Sequence, residues 1–191
     1  MPKYFIAVIG ATASGKSTFI DFAKKQYPDY FTSINIGQIL RAKYPPEYFE
    51  GQGTLDKTED EVRKLVEDSV KEFVSSDKQV LLIDGQPRNQ DQIEFLEVLQ
   101  QRYEIDGTVF VWVSCTDGER ERRGSNRSQT QGELELFNSR KIADKISIHN
   151  VLFDVLDREN TVITCDTSQM DVEREMLWTV RYALGKFGLT L

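Results

Sequence analysis

Residues 10–18 read Gly-Ala-Thr-Ala-Ser-Gly-Lys-Ser-Thr, which fits the spacing G-x-x-x-x-G-K-[ST]. Glycines at both ends of such a stretch let the backbone wrap so tightly that its N–H groups converge on an anion, and a helix starting just after them adds the positive end of its dipole. In that arrangement Lys16 neutralises the β- and γ-phosphates of a nucleoside triphosphate and the Ser17 hydroxyl ligates Mg²⁺. The expected triphosphate-binding set is therefore Gly10, Ala11, Thr12, Ala13, Ser14, Gly15, Lys16, Ser17 and Thr18. Asp84, directly after the apolar run at 80–83, adds a carboxylate where a Mg²⁺ partner or water anchor is useful, so Ser17 and Asp84 form the expected metal set. The plainer readings are a Gly- and Ser-rich strand-to-helix turn for the first motif and a turn or cap residue for Asp84.

A loop of this kind works only between a buried strand and a helix. Residues 3–9 (KYFIAVI) are the buried strand, and residues 17–26 place Phe19, Ile20, Phe22 and Ala23 on one side before Tyr27-Pro28 closes the helix. Residues 31–35 give a second strand, 37–43 a short helix ended by Pro45-Pro46, and 44–53 a loop. From Thr58 the positions Val62, Leu65, Val66, Val70 and Phe73 recur at three or four residues, the spacing of an amphipathic helix. A third strand at 80–83, a helix through Ile93, Leu96, Leu99 and Tyr103, and a β-branched and aromatic strand at 108–113 follow. Residues 119–132 contain no apolar side chain and read as a solvated segment. A long helix through Ile142, Ile146, Leu152, Val155 and Leu156, a fifth strand at 161–164 and a last helix over 170–186 complete the chain. Strands alternating with helices predict a single α/β domain, residues 1–191, with a five-stranded parallel sheet covered on both faces and ligands at the carboxyl ends of its strands.

Composition narrows the class further. Lys and Arg total 24 against 31 Asp and Glu, a net charge of −7, which repels an extended nucleic-acid backbone but admits small anions gathered at one cationic site. The longest apolar run is strand length, so no membrane span is expected. Cys115 and Cys165 make neither a metal spacing nor a disulfide framework, and Met1-Pro2-Lys3 does not resemble a signal peptide, which reads as a reduced, soluble, cytoplasmic protein. Small-molecule nucleotides are the expected partners, with a monomer expected and a dimer left open.

Several segments then resemble one family. Asp84-Gly85-Gln86-Pro87-Arg88 resembles the Asp-Gly-Phe-Pro-Arg signature of the adenylate kinase family of nucleoside monophosphate kinases, and Gln92 stands where that family places a Gln reading the acceptor base. Ile36-Gly37-Gln38-Ile39-Leu40-Arg41 is similar to the family's Thr-Gly-Asp-Leu-Leu-Arg, whose Arg holds the monophosphate, and Arg123, Arg127 and Arg140 are similar to its arginines around and after the lid. The resemblance implies a P-loop kinase fold with a helical acceptor-binding flap at 37–73 and a short lid at 120–132. It also implies that Gly37, Arg41, Gly85, Arg88 and Gln92 bind the monophosphate, and that Arg123 contacts ATP. Lys16, Arg88, Arg127 and Arg140 become the catalytic set. The chain departs from the family at Ile36, Gln38 and Gln86, and at Ser128-Gln129-Thr130, where an acidic pair is usual.

The chemistry demands the same residues. Moving a phosphoryl group between two anions concentrates negative charge and needs little covalent work, so cations must converge, and guanidinium suits phosphate by binding it bidentately. Lys16, Arg41, Arg88, Arg127 and Arg140 meet that demand, whereas Arg120 and Arg122, flanked by Glu119 and Glu121, read as solvated surface residues. Trp112 and Trp178 read as core and His149 as a polar-face residue. The expected reaction is transfer of the γ-phosphate of Mg²⁺-ATP to a nucleoside or deoxynucleoside monophosphate without a covalent intermediate. A P-loop kinase of another small acceptor, such as a sugar acid, and a non-catalytic nucleotide-binding module are the alternatives. A lid with no apolar anchor is expected to be mobile when free and to close weakly.

Overall fold

In the computed structural model the described residues are 1–44, 54–127, 131–168 and 170–189, and the side chains at 41, 54–58, 131–133, 136, 139, 140, 142, 143 and 145 lie outside that set. In chain order the elements are β1 (Tyr4–Ile9), α1 (Lys16–Gln26), β2 (Phe31–Asn35), α2 (Ile36–Lys43), α3 (Thr54–Ser75), β3 (Val80–Asp84), α4 (Gln90–Arg102), β4 (Gly107–Ser114), α5 (Asp117–Arg127), α6 (Gln131–Asp157), β5 (Thr161–Asp166) and α7 (Val172–Lys186).

All strand pairs are parallel, in the order β2-β3-β1-β4-β5. The most apolar strand, β1, is thus the central one. Its side chains alternate between two cores: Phe5, Ala7 and Ile9 face one layer, Ile6 and Val8 the other. The first layer is closed by Val62, Val66, Val70 and Phe73 of α3, Ile93, Leu96 and Leu99 of α4, and Val151, Leu152 and Val155 of α6. The second is closed by Phe19, Ile20 and Ala23 of α1 and Met176, Val180, Ala183 and Leu184 of α7. Because both faces are covered, the inner strands β1 and β3 carry continuous apolar runs, whereas the edge strand β2 (FTSIN) does not. The chain winds to one side of β1 for β2 and β3 and to the other for β4 and β5, and ligands of such sheets sit where that winding reverses, outside the strands' carboxyl ends. Val8 pairs with Asp84 and Ile9 with Trp112, so the exit of β1 is level with the end of β3. Among the described residues no helix is long and apolar enough to cross a membrane.

Three expectations are corrected. Residues 119–127, read as a solvated segment without an anchor, are exposed at Glu121, Arg122, Ser125, Asn126 and Arg127 but belong to α5, which docks on α6 through Gly124: a Cβ there would lie 2.2 Å from the Phe137 ring, so a missing side chain supplies the anchor that apolar content does not. Arg120 is buried, at 7% exposure, rather than at the surface. Trp178 is 54% exposed, because two residues after the inward-facing Met176 the helix has turned about 200° and points away from the sheet. There it stacks on Tyr182, with ring centroids 5.1 Å apart. Ile146 and Leu156 of α6 are likewise exposed, whereas Trp112 packs partly buried against the first core and His149 is exposed as expected. The loop at 45–53 and the Ser128-Gln129-Thr130 segment lie outside the described residues.

Candidate active site

The 10–18 loop leaves β1 at the centre of the sheet and enters α1, whose first residue is Lys16. Gly15 is the N-cap and holds φ at 102°, a left-handed conformation that suits glycine, so the N–H groups of the first helical turn face the loop's hollow. The loop is braced internally by Ser14 N–H donating to the Ala11 carbonyl at 3.1 Å. Lys16 folds back across it, its Nζ donating to the carbonyls of Gly10 (2.7 Å) and Ala11 (2.9 Å). Burial pushes the Lys16 ammonium down to about 8; Asp84 and Asp144 act against that shift, and Arg88 and Arg120 with it.

Asp84 ends β3, buried at 5% exposure, and its Oδ2 lies 3.5 Å from the Ser17 hydroxyl. The same oxygen accepts from Asn35 Nδ2 at 2.8 Å, while the Asn35 side-chain carbonyl caps α2 by accepting from Gln38 N–H at 2.8 Å. One short amide therefore ties the carboxylate beside the loop to the start of the helix that carries Arg41. These oxygens are hard ligands of the kind Mg²⁺ prefers, and among the described residues no group of three or more Asp, Glu, His or Cys converges. The set thus fits a cation that takes most of its ligands from phosphate and water.

Arg88 is exposed at the mouth of the cleft, and its Nε donates to the Gly85 carbonyl at 3.1 Å. Its own backbone is clamped, the N–H donating to Gln92 Oε1 (2.7 Å) and the carbonyl accepting from Ser147 Oγ (2.6 Å). Gln92 is buried, capped by Asn89, and donates through Nε2 to Glu59 of α3 at 3.1 Å, so both ends of its amide are engaged within the protein. Gly37 lies in the first turn of α2 and Thr18 is exposed on α1. Arg127 is exposed at the end of α5. Arg41 lies on α2 and Arg140 on α6, their side chains outside the described residues.

Arg123 does not extend into solvent. Its Nη1 donates to the Ser14 carbonyl (3.2 Å) and Thr167 Oγ1 (2.9 Å), its Nη2 to the Thr167 carbonyl (2.7 Å), and its Nε to Glu119 (2.7 Å). Hydrogen bonds from Arg122 and Arg123 hold the Glu119 carboxyl down at about 2. Thr167 Oγ1 in turn donates to the Ser14 carbonyl at 2.6 Å, so the back of the loop is pinned to the end of β5.

Sequence reasoning missed four residues of this neighbourhood. Thr167 follows β5, and the rule that ligands gather at strand carboxyl ends pointed there. Asp144 accepts from the Thr12 N–H at 2.5 Å; it stands four residues after Arg140, on the same stripe of α6, and that register was the available signal. Asn35 was read only as the last residue of a strand, and nothing along the chain tied it to Asp84. Arg120 donates to the Thr12 carbonyl at 3.4 Å and pairs with Asp117 at 3.4 Å, and its charge pattern gave no hint of burial.

A protein-family model described as an AAA domain matches residues 9–136. The chain is 30% identical over 147 residues to an adenylate kinase of Nitratiruptor sp., which spans 73% of this chain and 75% of that protein. It is 27% identical over 151 residues to an adenylate kinase of Helicobacter pylori, spanning 73% and 77%. A solved sugar kinase from Janibacter sp., in its unliganded form, superposes with a TM-score of 0.61 at 14% identity over 99% of this chain and 96% of that one, a likeness of fold. The matched stretch runs from the end of the central strand through the loop, Asp84 and Arg88 into α6, and with relatives of this identity and span the chain belongs to the adenylate kinase-like family of P-loop kinases.

Proposed function

We propose that the protein is a nucleoside monophosphate kinase, which transfers the γ-phosphoryl group of Mg²⁺-bound ATP to a nucleoside or deoxynucleoside monophosphate in the cytoplasm. The observation that carries this reading is the convergence of Lys16, Ser17, Asp84 and Arg88 at the carboxyl ends of β1 and β3, in a chain whose relatives are adenylate kinases.

The donor's phosphates occupy the hollow of residues 10–18. They draw Lys16 from the carbonyls of Gly10 and Ala11 onto the β- and γ-phosphates, and accept from the first N–H groups of α1. The Ser17 hydroxyl would hold Mg²⁺, with Asp84 ordering its water shell, and the ion would supply neutralisation of the phosphate charge. Arg88 and Arg41 hold the acceptor phosphate, Gly37, Gly85 and Gln92 line the acceptor site, and Arg123, Arg127 and Arg140 serve the donor and the transferring group. Residues 37–73 act as the acceptor flap and 120–132 as the lid. Catalysis is positioning and charge stabilisation, with the acceptor phosphate as its own nucleophile.

A hydroxyl acceptor is the second reading, and Asp144 favours it: a carboxylate against the loop, within the field of Lys16, is the proton acceptor a hydroxyl needs and a phosphate does not. A coupled ADP-release screen over the common nucleoside and deoxynucleoside monophosphates, with sugar acids as a separate arm, decides between them. Turnover with a monophosphate is expected; turnover confined to the sugar acids, or none in either arm, overturns the proposal.

A further inference from the structure

Gln86 is 2% exposed, and neither its Nε2 nor its Oε1 has a hydrogen-bond partner among the described residues. Buried side-chain amides are ordinarily paired, and an unpaired one is destabilising where an apolar side chain of the same size would not be. Its place in the fold suggests what the amide awaits. Gln86 follows Asp84-Gly85 and lines a cavity of about 20 Å³ between the loop and α6, shared with Lys16, Arg88, Asp144 and Ser147. That volume holds one oxygen-sized group, such as a single phosphoryl oxygen. Two of the neighbours are cations. The Asp144 carboxylate is engaged by the Thr12 N–H and the Ser147 hydroxyl by the Arg88 carbonyl, whereas Gln86, which also lines the cavity, has a side-chain amide with no partner among the described residues.

We propose that Gln86 is a phosphate-binding residue of the acceptor site: once the acceptor is bound, Nε2 donates to a phosphoryl oxygen held between Lys16 and Arg88. The donor's phosphates have by then drawn the Lys16 ammonium off the loop carbonyls, and Oε1 accepts one of its protons. The amide is thus satisfied only in the loaded enzyme. This rests on the monophosphate reading above and adds to it a residue, standing where the family signature carries Phe, that selects an acceptor ending in a phosphate.

The test uses Gln86→Met, close in length and apolar, with Gln86→Leu as a second variant. Binding of ATP and of AMP, CMP, GMP and UMP is measured calorimetrically, alongside thermal unfolding of the free proteins. Both variants are expected to bind ATP within about twofold of the wild type, to bind the wild type's preferred monophosphate about tenfold or more weakly, and to unfold at a temperature no lower than the wild type. Unchanged monophosphate affinity, equal weakening of both nucleotides, or a lowered unfolding temperature in both variants overturns the role of Gln86 alone. A wild type that binds none of the four monophosphates overturns the monophosphate reading itself, and this inference with it.

Discussion

Near pH 8 the free protein is expected to take up part of a proton when a nucleoside triphosphate binds, because burial leaves Lys16 partly neutral there. Its ammonium sits at about 8 rather than 10.5, through burial first and then the neighbouring Arg88 and Arg120 charges, with Asp84 and Asp144 opposing. Phosphate anions placed against it favour the charged form and raise that value again. The uptake is therefore small near pH 7 and grows as pH rises through about 8. Calorimetric titration in two buffers of different ionisation enthalpy measures it directly, since the difference in apparent heat scales with protons exchanged. Lys16→Arg keeps a cation but cannot titrate in this range, so its uptake falls to near zero. Equal heats in both buffers at pH 8, or the same uptake in the Arg variant, would refute the reasoning. The sign for stability follows from the same depression. Between about pH 8 and 10.5 the unfolded chain binds more protons than the folded one, so the Lys16 contribution becomes more favourable as pH rises, by about 3 kcal/mol in all.

Arg88→Ala is expected to weaken monophosphate binding about 10- to 150-fold and ATP binding by less than about threefold, read by titration of each nucleotide separately. Gly124→Ala forces a Cβ into the Phe137 ring and costs about 1–3 kcal/mol of stability in urea unfolding, most of it restored by adding Phe137→Leu. Asp144→Asn removes an anion from the loop: a phosphate acceptor predicts tighter ATP binding, by about three- to tenfold, with kcat kept within about threefold. A loss of about a hundredfold or more in kcat would instead identify Asp144 as a proton acceptor and favour the hydroxyl reading.

What was legible in the sequence had a period or a motif. The central strands β1, β3 and β4 were found because each is an apolar run closed by polar or turn residues, and the ends of the less apolar β2 matched the structure at both residues. Lys16 and Ser17 were singled out by the fixed spacing of the loop motif, Asp84 by its place after an apolar strand and Arg88 by the family resemblance, and the structure brings all four to one cleft. What failed depended on three-dimensional neighbours. The burial of Arg120 is set by the loop it leans on, over a hundred positions away, and the docking of α5 by a glycine whose importance is the absence of atoms. Trp178 was placed in the core as an apolar position of a helix, where counting around α7 from Met176 would have turned it outward.

The strut formed by Arg123, Thr167 and the Ser14 carbonyl has a consequence for how such enzymes diverge. Thr167 and Asp144, two of the groups that touch the loop from outside, both lie beyond residues 9–136, the stretch that identifies the family. Two proteins with identical loop motifs can therefore hold them taut or slack according to what the last third of the chain presents, so substitutions in that tail retune nucleotide affinity while every signature residue stays the same.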